Sequence, residues 1–228
     1  MIIEGVTLTG VQVVDATIST QNLAIWIDAN NASSYSGTGT SITDLSGNSR
    51  TQNLASAGQY TTLSGVKCFD CNSNGISAAS IGPVLPTTGF TYIAWARMKS
   101  SSADWRTLYR HSTNDHAILI EQGSNRLGMY DNSAVAFYPS GYTVESLANV
   151  WAQWTVTGDS SGQTFYINGQ QVGSVTGQSA AGNSHWLTGG INTTQNFGYV
   201  ANMFMYTRKL PLEQIQQNYG ALKGVFGV

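Results

Sequence analysis

Carboxylates are the side chains with which this sequence could most readily perform catalysis. Retaining glycoside hydrolysis, for example, needs two carboxyl groups about 5–5.5 Å apart. On a β-strand, residues at positions i and i+2 share one face and could supply such a pair. The 12 acidic residues form no Glu-x-Asp-x-Glu pattern, and every glutamate is isolated, at Glu4, Glu121, Glu145 and Glu213. The sequence therefore predicts a protein that is not an enzyme.

Histidine and cysteine are the other residues that could form a reactive or metal site. His111 and His116 flank the tetrapeptide STND. They could reach one common site, but we predict two loop or strand-end histidines, each with local hydrogen bonds. Cys68 and Cys71 offer only two of the four ligands of a structural zinc site. On an extended strand their Cα atoms lie roughly 10 Å apart, too far for a disulfide, so we predict two free thiols.

One loop could bind calcium. In TDLSGNSR, Asp44 is accompanied by the side chains of Ser46 and Asn48. Ca²⁺ prefers six to eight oxygen ligands, and a single carboxylate is few for tight binding. Alternatively, Asp44 and Asn48 organise the turn through Asx-type hydrogen bonds. We predict no cofactor and no metal site, with calcium near Asp44 as the open alternative.

Aromatic side chains could bind sugars, because the C–H faces of pyranose rings stack on aromatic rings while hydroxyl groups need polar partners. Four tryptophans lie inside β-like runs and are predicted to be core: Trp26, Trp95, Trp151 and Trp154. ADWRTLYR and NSHWLTGG are instead the best candidates for a site at the rim of the domain. The candidate glycan-binding residues are Trp105, Arg106, Tyr138, Tyr142, His185 and Trp186. These rings could also fill gaps beneath loops or lie in a subunit contact.

Short β-like runs position these loops. In FTYIAWARMK, Thr91, Ile93, Trp95 and Arg97 share one strand face, whereas Phe90, Tyr92, Ala94 and Ala96 share the other. The predicted strands are 23–28, 66–71, 90–99, 105–110, 116–121, 126–130, 134–138, 151–157 and 197–206. Between two further runs, Asn168-Gly169 predicts a type I′ hairpin. This spacing predicts an all-β fold, a sandwich of two antiparallel sheets, over residues 21–207.

A helix closes the chain. Pro211 suits its first position and Gly224 suits its C-cap. One face of the helix is predicted to be apolar and to pack on the domain's own sheet or on a neighbour. That face consists of Leu212, Ile215, Tyr219 and Leu222. Residues 208–228 are therefore predicted to be a short C-terminal helix with an apolar tail.

Charge and hydropathy exclude several classes of partner. Charged residues make up 10% of the chain and the formal net charge is −2. Without clustered Lys and Arg we expect no binding of nucleic acid. The first residues lack the pattern of a signal peptide, and no apolar run reaches the roughly 20 residues of a membrane helix. We expect synthesis in the cytoplasm and no insertion into a membrane.

Four segments together resemble the laminin-G-like (pentraxin-like) branch of the concanavalin A-like lectin/glucanase superfamily. They are LAIWIDANNASSYSGTGTSITDLSGNSR, KCFDCNSNGI, WAQWTVTGDSSGQTFYINGQQVGS and FGYVANMFMYTRKLPLEQIQQNYGALKG. Cys71 stands where the family pattern usually has glycine. The resemblance implies a jelly-roll sandwich.

The last segment also resembles the ends of laminin-G-like proteins from tailed bacteriophages. This resemblance implies a non-enzymatic virion structural protein: a capsid decoration, a neck or tail part, or a tail-fibre component. It would be made in the host cytoplasm, contact other virion proteins, form a homo-oligomer and bind host cell-surface polysaccharide. The alternative is a carbohydrate-binding adhesin or surface protein without a structural role in a virion.

The two ends of the chain are the candidate assembly contacts. Residues 1–20 precede the domain pattern and are predicted to form an arm. Its alternating Val and Thr residues could add a strand to a neighbour's sheet. The candidate assembly residues are Ile2, Ile3, Val6 and Leu8 in the arm and Val225 and Phe226 in the tail.

Overall fold

The computed structural model describes residues 17–228 except 85–88, 101–102, 112–114, 178, 180–181 and 188–194, and for 77–84 and 182–187 it describes the backbone alone. The arm candidates Ile2, Ile3, Val6 and Leu8 lie outside the described residues. Within the described segments, no helix is long and apolar enough to cross a membrane.

The described elements are β-strands, two short 3-10 turns (Ala57–Gln59 and Glu145–Leu147) and one α-helix. In chain order they are β1 (Leu23–Asp28), β2 (Ser41–Ile42), β3 (Gln52–Leu54), β4 (Tyr60–Leu63), β5 (Val66–Asp70), β6 (Ile76–Val84), β7 (Phe90–Met98), β8 (Arg106–His111), β9 (His116–Ile120), β10 (Arg126–Asp131), β11 (Ala136–Thr143), β12 (Trp151–Asp159), β13 (Gly162–Ile167), β14 (Gln170–Thr176), β15 (Gly182–Leu187), β16 (Gly198–Tyr206) and α1 (Leu212–Phe226).

The strands form two antiparallel sheets. The first sheet has the order β14-β13-β12-β7-β16-β5-β4, with β1 also paired to β16. The second has the order β11-β10-β9-β8-β15-β6-β3-β2. One apolar core contains side chains from both sheets, such as Tyr92 and Trp154 from the first and Tyr109 and Met129 from the second. The predicted all-β sandwich with a short C-terminal helix is confirmed.

Both faces of the first sheet are covered, and the side chains of strand β7 show this. Phe90, Tyr92 and Ala94 face the core between the sheets. The alternate residues Ile93 and Trp95 are also fully buried, but in separate clusters that α1 covers. The predicted alternation of β7 is therefore confirmed.

Helix α1 lies on the outer face of the first sheet. Pro211 is its N-cap, and Gly227, not the predicted Gly224, ends it in the left-handed conformation with φ 70°. Leu212 is 43% exposed, although its spacing predicts the covered face. Leu210, just before the helix, is buried beside Ile215 in the cluster beneath it. The chain thus supplies the apolar contact at this end two residues earlier than predicted.

Phe226 closes the far end of this contact. Its ring lies parallel to the Trp95 ring, with centroids 4.1 Å apart and planes 3° apart, and it also contacts Trp151 at 5.4 Å. This packing does not agree with the prediction that Phe226 contacts a neighbouring protein, because the ring is buried on its own sheet. Val225, which is 52% exposed, is the tail candidate that stays on the surface.

Strands β6 and β15 lie where the sequence predicts no strand, and for His185 and Trp186 it predicts a loop. They pair with each other in the second sheet, and β15 also pairs with β8. Their sequences, ISAASIGPV and GNSHWL, consist mainly of small and polar residues and give a weak alternation signal. His185 and Trp186 therefore lie in a strand. Tyr138 and Tyr142 likewise lie within β11.

Both cysteines are buried and neither forms a disulfide, as predicted. Burial is the main reason why the pKa of the Cys68 thiol rises to about 12. The thiolate, which is the reactive form, is therefore scarce at neutral pH. Cys68 lies at the base of the helix-covered cluster with Trp95 and Phe226, so its role is packing.

The loop of Asp44 is held by the carboxylate itself. Oδ1 accepts hydrogen bonds from the N–H groups of Trp26 and Ser46, both at 2.9 Å. Oδ2 accepts from the Ser46 hydroxyl at 2.8 Å and from the Arg50 N–H at 3.1 Å. These contacts support the turn-organising role of Asp44. A calcium ion would compete with four donors, and calcium binding here stays the untested alternative.

Asp44→Asn is expected to lower the free energy of unfolding by about 2–3 kcal/mol, because an amide nitrogen in place of Oδ2 cannot accept from Ser46 and Arg50. Urea unfolding measures this change. Asp131→Asn is the matched control, since Asp131 also accepts from its own turn but at an exposed site; we expect a loss below about 1 kcal/mol. Calcium that stabilises the wild type but not Asp44→Asn would instead assign a metal site to this loop.

Candidate functional site

A cavity of about 230 Å³ opens on the second sheet. Three neighbouring strands contribute to it: β8 through Arg110, β9 through His116 and β10 through Tyr130. The described residues that line it are Trp105, Arg110, His116, Leu119, Tyr130, Asn132 and Gln195. The cavity combines aromatic, amide and basic side chains, which makes it the candidate site.

The cavity lies on the face of the second sheet that points away from the sandwich core. Successive residues of a strand point to opposite faces. Leu119 lines the cavity, whereas its neighbours Ile118 and Ile120 belong to the core. Tyr130 lines it, whereas the preceding Met129 belongs to the core. The site and helix α1 are therefore on opposite sides of the molecule.

Trp105 forms an aromatic wall of the cavity. Its ring meets the Phe137 ring at 5.4 Å and 69°, and the Tyr130 ring at 6.1 Å and 76°. Edge-on contacts of this kind are favourable and fix the orientation of the indole. Trp105 and Tyr130 stay partly exposed. Two oriented rings thus present apolar surface to a ligand.

His116 and Gln195 are held together by Thr107. The Thr107 hydroxyl donates to Gln195 Oε1 at 3.1 Å and lies 2.8 Å from His116 Nδ1. A hydroxyl has one proton, so we assign the proton of the second contact to Nδ1, which leaves Nε2 as an acceptor. Burial, and then the charge of Arg110, lower the pKa of His116 to about 3. His116 is therefore neutral at neutral pH.

Asn132 and Arg110 complete the polar lining. The Asn132 N–H donates to Asp115 Oδ1 at 2.9 Å, which fixes the start of the turn after β10. Arg110 is only 8% exposed, and burial lowers the pKa of its guanidinium, which remains a cation at neutral pH. Asp115 itself is not part of the described lining.

The structure brings only one of the sequence-predicted glycan residues into the described cavity, Trp105. Arg106 is 1% exposed and donates to Asn125 Oδ1 and to the Lys99 carbonyl, inside the fold. Tyr138 and Tyr142 pack against the core between the sheets. For His185 and Trp186 the backbone alone is described, with Trp186 in register with Arg110 and His185 in register with His111.

The sequence prediction missed Arg110, Tyr130, Asn132 and Gln195. For Arg110 and Tyr130 the sequence gives a weak indication of a surface site, since each is a polar or amphipathic residue next to core residues in a strand. Asn132 lies in a turn, and only the folded chain brings Gln195 close to β8. His111 and His116 are strand-end residues, as predicted. They do not share a site, because the His111 ring packs inside against Phe90 and Tyr92.

Metal and carboxylate chemistry find no support in the described part of the chain. No three His, Cys, Asp or Glu side chains are grouped there so as to hold a metal ion. No carboxylate occurs among the described residues that line the cavity. The groups present can stack on a ligand, donate and accept hydrogen bonds, and provide one positive charge.

Comparisons with known structures agree on the fold. Trypanosoma rangeli sialidase with 2,3-difluorosialic acid (covalent intermediate) matches with a TM-score of 0.66 at 12% identity, over 91% of this chain and 34% of that chain. The binding domain of Paraclostridial Mosquitocidal Protein 1 matches with a TM-score of 0.61 at 19% identity, over 88% and 52%. The botulinum neurotoxin serotype G binding domain matches with a TM-score of 0.59 at 17% identity, over 87% and 50%.

This chain thus spans about a third to a half of the chains that it resembles. At these identities the likeness concerns the fold alone. A comparison with curated proteins finds no match. A laminin-G family model of the concanavalin A-like lectin/glucanases superfamily matches residues 70–216, which is more than half of the sequence. The chain therefore belongs to this laminin-G-like family of the concanavalin A-like lectin/glucanases superfamily.

Proposed function

We propose that the protein is a non-catalytic carbohydrate-binding module and that the cavity on β8, β9 and β10 is its glycan site. The observation that carries this proposal is the aromatic wall of Trp105 and Tyr130 beside the polar groups of His116, Asn132 and Gln195. Sugars need both kinds of contact. At about 230 Å³ the cavity is smaller than the roughly 300–1,000 Å³ of sites for drug-sized ligands. It suits a single sugar ring.

Two further observations support binding over catalysis. The superfamily to which the chain belongs includes lectins as well as glucanases. Glycoside hydrolysis in most families uses two carboxyl groups flanking the bond, and none occurs among the described lining residues. The sialidase likeness, at 12% identity, supports only the fold.

Trp105→Ala is expected to weaken glycan binding about tenfold or more, because a sugar face loses its stacking partner. Binding to a glycan array, followed by titration of the best ligand, measures the loss. Trp105→Phe retains a ring and is expected to retain most of the affinity. Trp26→Phe, at a half-buried tryptophan of the first sheet, is the control. Unchanged binding by folded Trp105→Ala would contradict the proposal, as would hydrolysis of the bound glycan.

We also propose that the module is displayed on a bacteriophage particle as a virion structural protein. The support is the resemblance of the C-terminal segment to phage proteins, together with the anchoring of the N-terminal segment. The Ser19 N–H donates to Asn218 Oδ1 at 2.9 Å, and the Tyr206 hydroxyl donates to the Ser19 carbonyl at 2.9 Å. The chain thus enters the domain beside α1, opposite the cavity. Attachment through the arm would leave the cavity facing outward.

Deleting residues 1–16 is expected to abolish incorporation into phage particles while leaving glycan binding and the unfolding temperature unchanged. The described contacts of Thr17 and Ser19 with α1 remain in this variant. Immunoblots of purified particles measure incorporation. Normal incorporation of the truncated chain would contradict a role for the arm. Glycan binding by a protein that never enters particles would favour the alternative of an adhesin or surface protein.

A further inference from the structure

The aromatic surface of the candidate site continues beyond the cavity. Trp105 contacts Tyr130, which lines the cavity, and also Phe137, which is not among the described lining residues. Phe137 lies on β11, the strand at the edge of the second sheet. The next residue, Tyr138, packs against the core between the sheets, so Phe137 points to the outer face, where the cavity opens. The three rings therefore form one aromatic surface that runs from the cavity towards β11.

A glycine of β10 makes room for the Phe137 ring. A Cβ atom at Gly128 would lie 2.7 Å from Phe137 Cζ and would also clash with the Tyr138 carbonyl oxygen. The ring thus covers the backbone of β10 two residues before Tyr130, which is roughly 7 Å along an extended strand. Phe137 and Tyr130 both stay partly exposed. Two neighbouring rings of one sugar chain could therefore lie against these two side chains.

Arg126 and Glu121 place polar groups beside Phe137. Arg126 Cζ lies 5.7 Å from the centroid of the Phe137 ring. Arg126 Nε donates to Glu121 Oε2 at 2.6 Å, and Nη2 donates to Glu121 Oε1 at 2.9 Å. The hydrogen bond from Arg126 lowers the pKa of the Glu121 carboxyl, which stays ionised at neutral pH. The double contact fixes the plane of the guanidinium and uses neither N–H group of Nη1.

We propose that the glycan site has a second subsite, formed by Phe137, Arg126 and Glu121, and that its ligand is a neutral oligosaccharide of two or more residues. One ring would occupy the cavity and the next would lie against Phe137. Because the charges of Arg126 and Glu121 cancel, the subsite suits hydroxyl groups better than an anion. Nη1 can donate to one hydroxyl, and the carboxylate can accept from another. This inference rests on the proposed glycan-binding function.

Neutral sugars of increasing length test this inference by calorimetric titration. The probes are the methyl glycosides of glucose, mannose and galactose, each with the corresponding β1,4-linked disaccharide and trisaccharide. In at least one series the disaccharide is expected to bind about tenfold or more tightly than the methyl glycoside, because it fills both subsites. The trisaccharide is expected to add less than about threefold. If only another neutral array glycan binds, its terminal monosaccharide and disaccharide replace these probes.

Arg126→Gln is expected to reduce the ratio of disaccharide to monosaccharide affinity by at least about fivefold, because it removes the donors beside the second ring. An exposed ion pair contributes little to stability, so this variant should fold. Phe137→Leu is expected to reduce the ratio similarly, since leucine keeps apolar bulk over Gly128 without a ring face. Arg97→Gln, on the first sheet, is the control and should leave the ratio unchanged.

Three results would overturn this inference alone. They are equal affinity for the one-ring and two-ring probes in every series, a ratio that stays at the wild-type value in both Arg126→Gln and Phe137→Leu, and array binding confined to acidic glycans. Each would leave the cavity as the glycan site without the second subsite. Binding of none of the probes, nor of any array glycan, would overturn the proposed function as well.

Discussion

Phe226→Ala is expected to lower the free energy of unfolding by about 3–5 kcal/mol, the usual range for removing a buried phenylalanine ring. The ring is 7% exposed and lies flat on Trp95, with Trp151 and Cys68 in the same cluster. Alanine would leave a cavity between the end of α1 and the first sheet. The Trp95 indole, fully buried at present, would become accessible to solvent. Urea unfolding followed by tryptophan fluorescence reports both effects.

Val225→Ala is the matched control, because Val225 is the preceding residue of the same helix and is 52% exposed. It is expected to change the free energy of unfolding by less than about 0.5 kcal/mol. Equal effects of the two substitutions would mean that α1 does not cover the sheet in solution. A loss confined to Phe226→Ala would establish the helix as part of the folded core.

The second large effect is a loss of stability in acid caused by two histidines. Burial lowers the pKa of His111 to about 3, with a further contribution from His116, and the pKa of His116 is also about 3. In the unfolded chain both have pKa values near 6.5. Between pH 6.5 and 3 the unfolded chain therefore binds protons that the folded chain does not. The stability that the two neutral histidines contribute is fully present above pH 6.5, and it is lost as the pH decreases towards 3.

Each histidine should contribute a slope of about 1.4 kcal/mol per pH unit near pH 5. Urea unfolding at pH 7.5, 6, 5 and 4.5 measures the slope. His111→Gln removes one titrating group and is expected to reduce the slope by about 1.4 kcal/mol per pH unit, whatever its effect at pH 7.5. The same slope in wild type and His111→Gln would show that His111 is protonated in the folded state.

Much of the fold could be predicted from local sequence, because one residue type often determines one backbone feature. Asn168 and Gly169 both have positive φ, 50° and 75°, and join β13 to β14 as the predicted type I′ hairpin. The alternation of β7 was equally clear. Strands β6 and β15 could not be predicted, since their small and polar residues become strand through pairing in the second sheet. The strand conformation of such segments is determined by the strands with which they pair and not by their own β-propensity.

The candidate site was harder to predict because strand register decides which side chains share a face. Arg106 and Arg110 are four residues apart on β8, so strict alternation would place them on one face. The pairing of β8 with β9 shifts between Thr107 and Tyr109 and again before Arg110. Arg106 consequently points inward and Arg110 lines the cavity. After a bulge of this kind, the following side chains point to the opposite face of the sheet from the one that alternation predicts. The bulge leaves no clear sign in the sequence.

The hydrogen bond from Ser19 to Asn218 has a consequence for how the domain could be combined with other proteins. It joins residues 199 positions apart in the chain and lies on the face opposite the cavity. Asn218 lies within α1, so Ser19 and the helix share the outer face of the first sheet, and domains whose two ends share a face tolerate insertion into a loop of another protein. This domain could therefore be grafted through Thr17 and the end of α1 onto a carrier, with no linker crossing the sandwich. The cavity would then be presented on the side away from the carrier.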